Sequence, residues 1–294
     1  MKKLYLLLLL LCFGNIQAEE IKLQHGELLL NANLEKAGEN WSAAPVVLLT
    51  HGTLAHNGME IISSVQNLLL ENEVSSLALN LSLGLNDRHG MYDCKTPHTH
   101  RHTDALDEIG YWMKWLKGKG VEQVILMGHS RGGNQTAWFA AERDEATIKK
   151  VVLVAPQTWS EDRAMAGYEK RYGKPLVPIL EKAKGMLAKQ QGDTLLKNVD
   201  FIYCEDTSAT ANAVVSYYAP DSRMDSVYLL KKIRKPVLLF VGSEDKVIKG
   251  LQEKSAQLKA DSGVSVVVID GADHYFRDLY AEDLVDQLVE FIGQ

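Results

Sequence analysis

Short, uninterrupted apolar runs alternate with amphipathic segments along most of the chain. The run from Val46 to Leu49 is entirely aliphatic, which is typical of a strand buried on both faces of a parallel sheet. An alternating pattern on either side of His25 and Gly26 instead predicts an antiparallel hairpin at a sheet edge. The predicted strands are 21–24, 27–34, 45–50, 75–81, 121–127, 150–156, 236–242 and 264–269.

The segments between these strands predict helices. Asn57 and Glu60 have the spacing of a capping box, and apolar residues recur beyond them at helical intervals. Thr103 is predicted to cap a second helix with an acidic first turn, and residues 281–292 to form a closing amphipathic helix. Strands that alternate with helices predict an α/β fold with a doubly wound, mainly parallel sheet.

Residues 157–230 interrupt this alternation. They contain helix-like pieces rich in lysine, alanine and glutamate, broken by glycine and proline at positions such as Gly173 and Pro220. We therefore expect an inserted helical cap at 157–230, carried by a core that consists of residues 19–156 and 231–294.

The N-terminus predicts export. A basic start, a short apolar stretch and a small residue at Ala18 have the order of a secretory signal peptide, residues 1–18, which is cut after Ala18. The remaining chain has no apolar stretch of membrane-spanning length, so we expect no stable membrane anchor after cleavage. The expected location is the periplasm in a Gram-negative bacterium, or the medium if the protein is secreted.

Composition adds little to the choice of function. The chain has 294 residues, 46% hydrophobic and 24% charged, with a net charge of −6 and no basic block that would suggest a nucleic-acid partner. Once the signal peptide is removed, Cys94 and Cys204 remain, and two cysteines in an oxidising compartment can pair as a disulfide. Whether they do, and the oligomeric state, stay open at this point.

The segment from Gly128 to Gly132 carries the strongest chemical signal. It reads Gly-His-Ser-Arg-Gly between a predicted strand and a predicted helix, the context in which Gly-x-Ser-x-Gly exposes a nucleophilic serine on a strained turn. The glycines allow close approach of strand and helix, and the helix N-terminus suits an oxyanion. Ser130 is thus the candidate nucleophile. The alternative is an ordinary strand-to-helix turn with a serine N-cap.

A nucleophilic serine needs a base, and the base needs a carboxylate. His274 follows the last predicted strand, and Asp245 follows the strand before it, so both are expected at the same sheet edge as Ser130. Glu244 and Asp273 are alternative carboxylates, because one adjoins Asp245 and the other adjoins the histidine.

Ser130, Asp245 and His274 occur in the chain order of the α/β-hydrolase superfamily, which this sequence resembles from about Glu19 to its end, apart from the cap. The resemblance implies the α/β-hydrolase fold, an acyl-enzyme and a small-molecule acyl substrate, first a carboxylic ester, then a thioester, amide or peptide. It implies neither a cofactor nor a metal. The oxyanion donors would be the backbone N–H groups of Arg131 and Thr53, with Leu54 as an alternative to Thr53.

The segment 87–102 is rich in histidine. We expect it to overhang the catalytic edge as a polar loop whose histidines contact substrate. His98, His100 and His102 would instead align on one side of an extended chain, which suits zinc. Cys94 could tie this loop to Cys204 in the cap. The candidate substrate contacts are His89, His98, His100 and His102. His51 and His129 are expected to be structural.

Two other functions remain as alternatives. The chain could be a hydrolase-fold protein without hydrolytic activity that binds a ligand or a partner protein, because fold alone does not determine function. It could also have a metal-dependent activity centred on His98, His100 and His102.

Overall fold

The computed structural model describes residues 18–258 and 263–294. The predicted signal peptide therefore lies, except for Ala18, outside the described residues. Within these two ranges no helix has the length and apolar character needed to cross a membrane.

An eight-stranded sheet forms the centre of the molecule, in the order β1-β2-β4-β3-β5-β6-β9-β10. β1 and β2 pair antiparallel with each other, β2 pairs antiparallel with β4, and all further neighbours are parallel. The predicted edge hairpin and the mainly parallel, doubly wound sheet are thus confirmed. The strands are β1 (Glu19–His25), β2 (Leu28–Glu35), β3 (Val46–Thr50), β4 (Ser75–Asn80), β5 (Val124–His129), β6 (Ile148–Val154), β7 (Leu195–Phe201), β8 (Cys204–Thr210), β9 (Val237–Gly242) and β10 (Val264–Ile269).

Helices cover both faces of this sheet. The helices of the described residues, including those of the insertion, are α1 (Glu60–Glu71), α2 (Asp104–Gly118), α3 (Ser130–Glu142), α4 (Glu161–Tyr172), α5 (Val177–Ala188), α6 (Ala211–Tyr218), α7 (Ser226–Leu230), α8 (Leu251–Ser255) and α9 (Leu279–Gly293). Short 3-10 turns occur at Trp41–Ala43 and Ser222–Met224.

The continuous apolar character of β3 follows from its two covered faces. Val46 and Leu48 join the hydrophobic cluster that α2 and α3 cover, whereas Val47 and Leu49 join the cluster under α1 and α9. Each fully buried side chain of this kind contributes about 1.5–3 kcal/mol to folding. A strand with one face in water would instead alternate apolar and polar residues.

Neither of the two predicted helix starts has the side-chain cap that the sequence predicts. The N-cap position of α1 is Met59, and the Asn57 amide instead donates to the carbonyl of Ala78 on β4 at 3.3 Å, so the capping box was wrong. Asn57 is buried against the sheet and satisfies a neighbouring strand. Thr103 does occupy the N-cap position of α2, where the carboxylate of Asp104 accepts the backbone N–H of Arg101 at 2.7 Å.

The sequence predicted an entirely helical insertion between β6 and β9, and this prediction was wrong. The insertion contains α4, α5, α6 and α7, but β7 and β8 form an antiparallel hairpin between α5 and α6. The hairpin sequence hides its structure, because β8 is largely polar and the register shifts twice along the pair. The cap is therefore a mixed layer of helices around a two-stranded sheet.

The loop between β4 and α2 holds the cap through both backbone and covalent contacts. Cys94 and Cys204 form a disulfide. The backbone of His98 pairs with β8, donating its N–H to Ser208 and accepting that of Thr210, at 2.8 and 2.9 Å. The β4–α2 loop of the core is thus bound along β8, at the edge of the cap hairpin.

Candidate active site

Ser130 lies at the junction of β5 and α3, in a strained conformation. Its φ of 58° is in the left-handed region, which costs a residue with a side chain on the order of 1–3 kcal/mol. The neighbouring glycines explain how the turn is tolerated. A Cβ on Gly128 would lie 2.5 Å from the Gly132 carbonyl oxygen, and one on Gly132 would lie 2.2 Å from the His51 carbonyl oxygen.

The three residues selected from the sequence meet at the carboxyl edge of the sheet. The Oγ of Ser130 lies 3.0 Å from Nε2 of His274, and Nδ1 of His274 lies 2.8 Å from Oδ2 of Asp245. Ser130 is only 8% exposed and His274 only 4%. Serine, imidazole and carboxylate thus form one hydrogen-bonded line that is almost closed to solvent.

The carboxylate of Asp245 is held in its ionised form. Its Oδ1 accepts the backbone N–H groups of Val247 and Ile248 at 2.7 and 2.9 Å, while Oδ2 faces the imidazole. Burial raises the pKa of Asp245, but the hydrogen bond and charge of His274 and the two N–H donors outweigh it, so the pKa lies below its usual value. An ionised carboxylate fixes the proton of His274 on Nδ1 and leaves Nε2 free as the base.

The alternative carboxylates lie elsewhere. Glu244 is exposed, and Asp273 accepts the backbone N–H of Tyr275 and pairs with Arg277. Of Asp245, Glu244 and Asp273, only Asp245 forms a hydrogen bond with the imidazole in the described part of the chain.

Thr53 and Arg131, the predicted oxyanion donors, are neighbours in space. A Cβ on Gly52 would lie 3.3 Å from Cβ of Ser130, so the loop after β3 passes directly beside the serine. Nε of Arg131 donates to Oγ1 of Thr53 at 3.0 Å. The backbone N–H of Arg131 belongs to the first turn of α3, where N–H groups have no partner within the helix. Both residues therefore adjoin Ser130, and their role as oxyanion donors stays a prediction.

His51 and His129 hold backbone segments, in agreement with the sequence interpretation. Nε2 of His51 accepts the N–H of Leu81 at 3.0 Å, and Nδ1 donates to the carbonyl of Gly52 at 2.9 Å. Nε2 of His129 donates to the carbonyl of His274 at 2.9 Å and so supports the loop that carries the base. Burial lowers the pKa of both rings to about 3, and they remain neutral.

His98, His100 and His102 are buried between their own loop, the cap and α3. They are 0%, 1% and 0% exposed, so the prediction that they touch substrate was wrong. Nδ1 of His100 lies 2.8 Å from the Tyr217 hydroxyl, and Nε2 of His102 lies 2.9 Å from Oδ1 of Asn134. Burial lowers the pKa of these rings to about 4, 3 and 3. The loop runs beneath the cap, and its histidines serve as interface packing.

His89, the fourth predicted substrate contact, was also wrongly placed. Its exposed ring pairs with Glu20 on β1, the strand four positions away from β5 in the sheet. With Asp87, these residues are the only group of three potential metal ligands close together in the described ranges. The ammonium group of Lys22 already pairs with both carboxylates there. The three buried histidines form no such group within those ranges.

The sequence interpretation missed Arg88, a buried residue that supports the oxyanion loop. Its guanidinium donates to the carbonyls of Leu81 and Ala55 and to Oδ1 of Asn80, at 2.8, 2.8 and 2.7 Å. It thus ties the loop that carries Thr53 to the end of β4. No periodic pattern marks an arginine that folds back into its own loop, and only its position beside the histidines could have suggested it.

Comparisons with known proteins agree with this architecture. A curated relative, 2-(acetamidomethylene)succinate hydrolase of Mesorhizobium japonicum, is 23% identical over 278 residues, which cover 91% of this chain and 92% of the relative. Est1E of Butyrivibrio proteoclasticus with bound ferulic acid has a TM-score of 0.66 at 21% identity, covering 92% of this chain and 97% of its own. The monoacylglycerol lipase of Paleococcus ferrophilus has a TM-score of 0.59 at 20% identity, covering 90% and 98%.

Likeness at this level of identity shows a common fold. Membership rests on a family model, described as the alpha/beta hydrolase family, which matches residues 46–288 and therefore includes β3, the elbow, the cap and most of α9. The match spans well over half of the chain. The protein is an enzyme that belongs to the alpha/beta hydrolase family.

Proposed function

We propose that this protein is an exported serine hydrolase that cleaves a carboxylic ester through an acyl-enzyme. The observation that carries the proposal is the hydrogen-bonded line from Ser130 through His274 to Asp245, with distances of 3.0 and 2.8 Å. A structural serine at a strand-to-helix turn needs neither an imidazole at its hydroxyl nor a buried carboxylate behind that imidazole.

The reaction follows from this geometry. Nε2 of His274 accepts the hydroxyl proton of Ser130 while Oγ attacks the carbonyl carbon, and the N–H groups of Thr53 and Arg131 stabilise the oxyanion. His274 then donates the proton to the leaving alcohol, and an ester of Ser130 remains. A water molecule loses its proton to His274, attacks this ester and releases the acid, with the proton returned to Ser130.

The ester is favoured over other acyl bonds by chemistry that similar proteins share. Est1E of Butyrivibrio binds ferulic acid and the Paleococcus protein is a monoacylglycerol lipase, whereas the Mesorhizobium relative is a 2-(acetamidomethylene)succinate hydrolase. Thioesters and amides are therefore the next substrates to test. The near-complete burial of Ser130 favours a small-molecule substrate over a protein chain.

Export is part of the proposal. Cleavage after Ala18 would release the chain into the periplasm or the medium, and the disulfide between Cys94 and Cys204 supports an oxidising compartment. Fractionation of the producing cells, followed by N-terminal sequencing, checks this step. A mature chain that begins at Glu19 is expected, and an uncut chain in the cytoplasm would contradict it.

The test of the catalytic proposal is labelling with a fluorophosphonate, which reacts only with an activated serine. The wild type is expected to be labelled on Ser130 and to hydrolyse p-nitrophenyl acyl esters. Ser130→Ala should lose both properties and keep the thermal unfolding temperature of the wild type. Ser63→Ala, which removes a hydroxyl bonded only to helix carbonyls of α1, is the matched control.

An unlabelled but folded wild type would contradict the serine mechanism. That result would favour the non-catalytic alternative, a hydrolase-fold protein that binds a ligand or a partner. Hydrolysis that survives in Ser130→Ala would point instead to chemistry that does not use the serine.

A further inference from the structure

The side chain of Arg131 lies beside the candidate nucleophile, and its contacts with Thr53, His102 and Tyr217 are all with uncharged groups. It is half-buried at the first turn of α3, directly after Ser130. Nε donates to the Thr53 hydroxyl at 3.0 Å, and Nη1 lies 3.3 Å from Nδ1 of His102. The guanidinium carbon lies 5.0 Å from the centre of the Tyr217 ring.

Each of these neighbours is uncharged. Burial, and then the charge of Arg131 itself, lower the pKa of His102 to about 3, so this imidazole is neutral. Burial raises the pKa of Tyr217, which keeps its hydroxyl protonated. No carboxylate forms an ion pair with Arg131 among residues 18–258 and 263–294. The nearby Asp221 is already bound by Arg223 at 2.7 Å.

Two other arginines, Arg88 and Arg223, have more hydrogen-bond or ion-pair partners than Arg131. Arg88 is more deeply buried, and its nitrogens donate to backbone carbonyls and to Asn80. Arg223 pairs with Asp221 and Glu142. A guanidinium has five N–H donors, and those of Nη2 of Arg131 have no acceptor within the described part of the chain. These N–H groups are open to solvent, so an acceptor from outside the chain can reach them.

The position of this cation relates it to the reaction. Thr53, which accepts from Nε, follows Gly52, and Gly52 lies against Cβ of Ser130. An anion held on the free edge of the guanidinium would therefore lie on the side of the oxyanion loop and under Tyr217 of the cap. A planar guanidinium binds a carboxylate through two parallel hydrogen bonds, which also fixes the orientation of the bound molecule.

We propose that Arg131 binds a carboxylate of the substrate, so that this enzyme prefers esters with a carboxylate near the scissile carbonyl over neutral esters of equal length. The inference rests on the proposed serine hydrolase function and names its substrate class. The carboxylate belongs either to the acyl group or to the alcohol, and the two cases require different test substrates.

The test compares matched pairs of esters. For the acyl side, p-nitrophenyl hydrogen glutarate is compared with p-nitrophenyl valerate, and for the alcohol side, acetoxybenzoate with phenyl acetate. In the wild type, kcat/KM is expected to favour the charged ester in one pair by about tenfold or more. In Arg131→Gln this ratio should fall roughly 10- to 100-fold, mainly through KM, and Arg131→Lys should restore part of it.

Arg101→Gln is the matched control, because it removes an exposed arginine of the β4–α2 loop, next to His102, and changes the net charge equally. It should leave the ratio unchanged. A ratio in Arg131→Gln equal to that of the wild type in both pairs, with Ser130 still labelled by fluorophosphonate, would overturn the assignment of Arg131 while leaving the hydrolase proposal intact.

A binding measurement separates the two proposals. Monomethyl glutarate is titrated by calorimetry into Ser130→Ala and into the same variant with Arg131→Gln. Binding that depends on Arg131 supports the carboxylate site even if the wild-type serine proves unreactive, in which case only the hydrolase proposal fails. Equal binding in the two variants, together with an unchanged ester ratio, refutes the site.

Discussion

At the scale of single residues, the candidate site consists of side chains whose charge states are set by their partners. Asp245 stays ionised because two backbone N–H groups and His274 face its oxygens. His51 and His129 stay neutral because burial outweighs every stabilising contact of the charged ring. The local surroundings thus assign one histidine to proton transfer and the other two to support.

The role of Asp245 gives a first prediction. Asp245→Asn would keep the size of the side chain but favour the wrong tautomer of His274, so kcat should fall roughly 10³- to 10⁴-fold while the fold survives. Steady-state hydrolysis of p-nitrophenyl esters measures the loss. Asp273→Asn is the control, because that carboxylate pairs with Arg277 and should be worth less than threefold in kcat. Equal losses in the two variants would contradict the assignment.

The buried histidines give a second prediction, on pH. Their folded-state pKa values of about 3 to 4 lie below the unfolded value near 6.5, so between these limits the unfolded chain binds more protons. Stability should therefore be full above about pH 6.5 and fall as the pH drops, by up to about 1.4 kcal/mol per pH unit for each ring. Urea unfolding at pH 7.5 and 5 measures the change.

His102→Gln, which removes one of these rings, should reduce the loss of stability on the acid side. His89 is the control, because its pairing with Glu20 raises its pKa, so it stabilises the folded state at low pH and loses that effect as the pH rises. His89→Gln should leave the acid-side loss at least as steep as in the wild type. A stability independent of pH between 7.5 and 5 would disprove the burial argument.

At the scale of elements, the elbow depends on how closely β5, α3 and the end of β3 approach one another. A Cβ at Gly132 would meet the carbonyl oxygens of His51 and Thr50 at 2.2 and 2.5 Å. These atoms belong to the end of β3 and to the start of the loop that leads to Thr53. A glycine at position 132 is therefore needed both for the turn at Ser130 and for the position of the loop that carries Thr53.

Gly132→Ala should consequently separate α3 from β3, with a loss of about 3 kcal/mol or more in the free energy of unfolding and loss of ester hydrolysis. Gly185→Ala is the matched control. Gly185 is exposed in the middle of α5, and a Cβ there meets nothing within 4 Å among the described residues. That substitution should stabilise the helix by about 0.5–1 kcal/mol. Wild-type stability in Gly132→Ala would contradict the steric argument.

The elements also show which features a sequence can predict. Strands such as β9 were predicted almost to the residue, because burial on both faces gives an apolar run that needs no knowledge of its neighbours. The edge strand β10 was predicted equally well from its run of valines, although Val266 and Val268 are exposed. Ser130, Asp245 and His274 could be selected because each follows a strand, and parallel strands bring such positions to one edge.

Other features depend on contacts distant in the chain. The histidines of the β4–α2 loop are polar, and they are buried by later parts of the chain: His98 by β8, His100 by α6 and His102 by α3. Asn57 matched a capping pattern, but a strand carbonyl competed for its amide. The β7–β8 hairpin is held by its surroundings, since its polar sequence has no strand pattern.

At the scale of the whole molecule, the cap is attached to the core by a third hydrophobic cluster, which joins Leu54 and Leu81 of the core loops to Phe201, Val214 and Tyr217 of the cap. The disulfide between Cys94 and Cys204 lies in the same region. Cap and core therefore share one interface, which includes Leu54 next to Thr53.

Removal of this disulfide should weaken the whole interface. Cys94→Ser with Cys204→Ser is expected to lower the free energy of unfolding by about 2–4 kcal/mol, since the bond closes a loop of 110 residues. Thermal unfolding of the variant, compared with the reduced wild type, measures the effect. The two should agree, and an unfolding temperature equal to that of the oxidised wild type would show that the bond contributes nothing to stability.

The same bond has a consequence for biogenesis. The sequence contains one other cysteine, Cys12, which belongs to the proposed signal peptide. If the chain crosses a membrane from its N-terminus, Cys94 emerges first. Its thiol stays unpaired until Cys204, 110 residues later, has also crossed. In the proposed exported form Cys94 and Cys204 are the two cysteines of the sequence that remain, so we expect their pairing to require an oxidant but no disulfide isomerase. Yield in an exporting host should accordingly depend on the thiol oxidase and be indifferent to the isomerase.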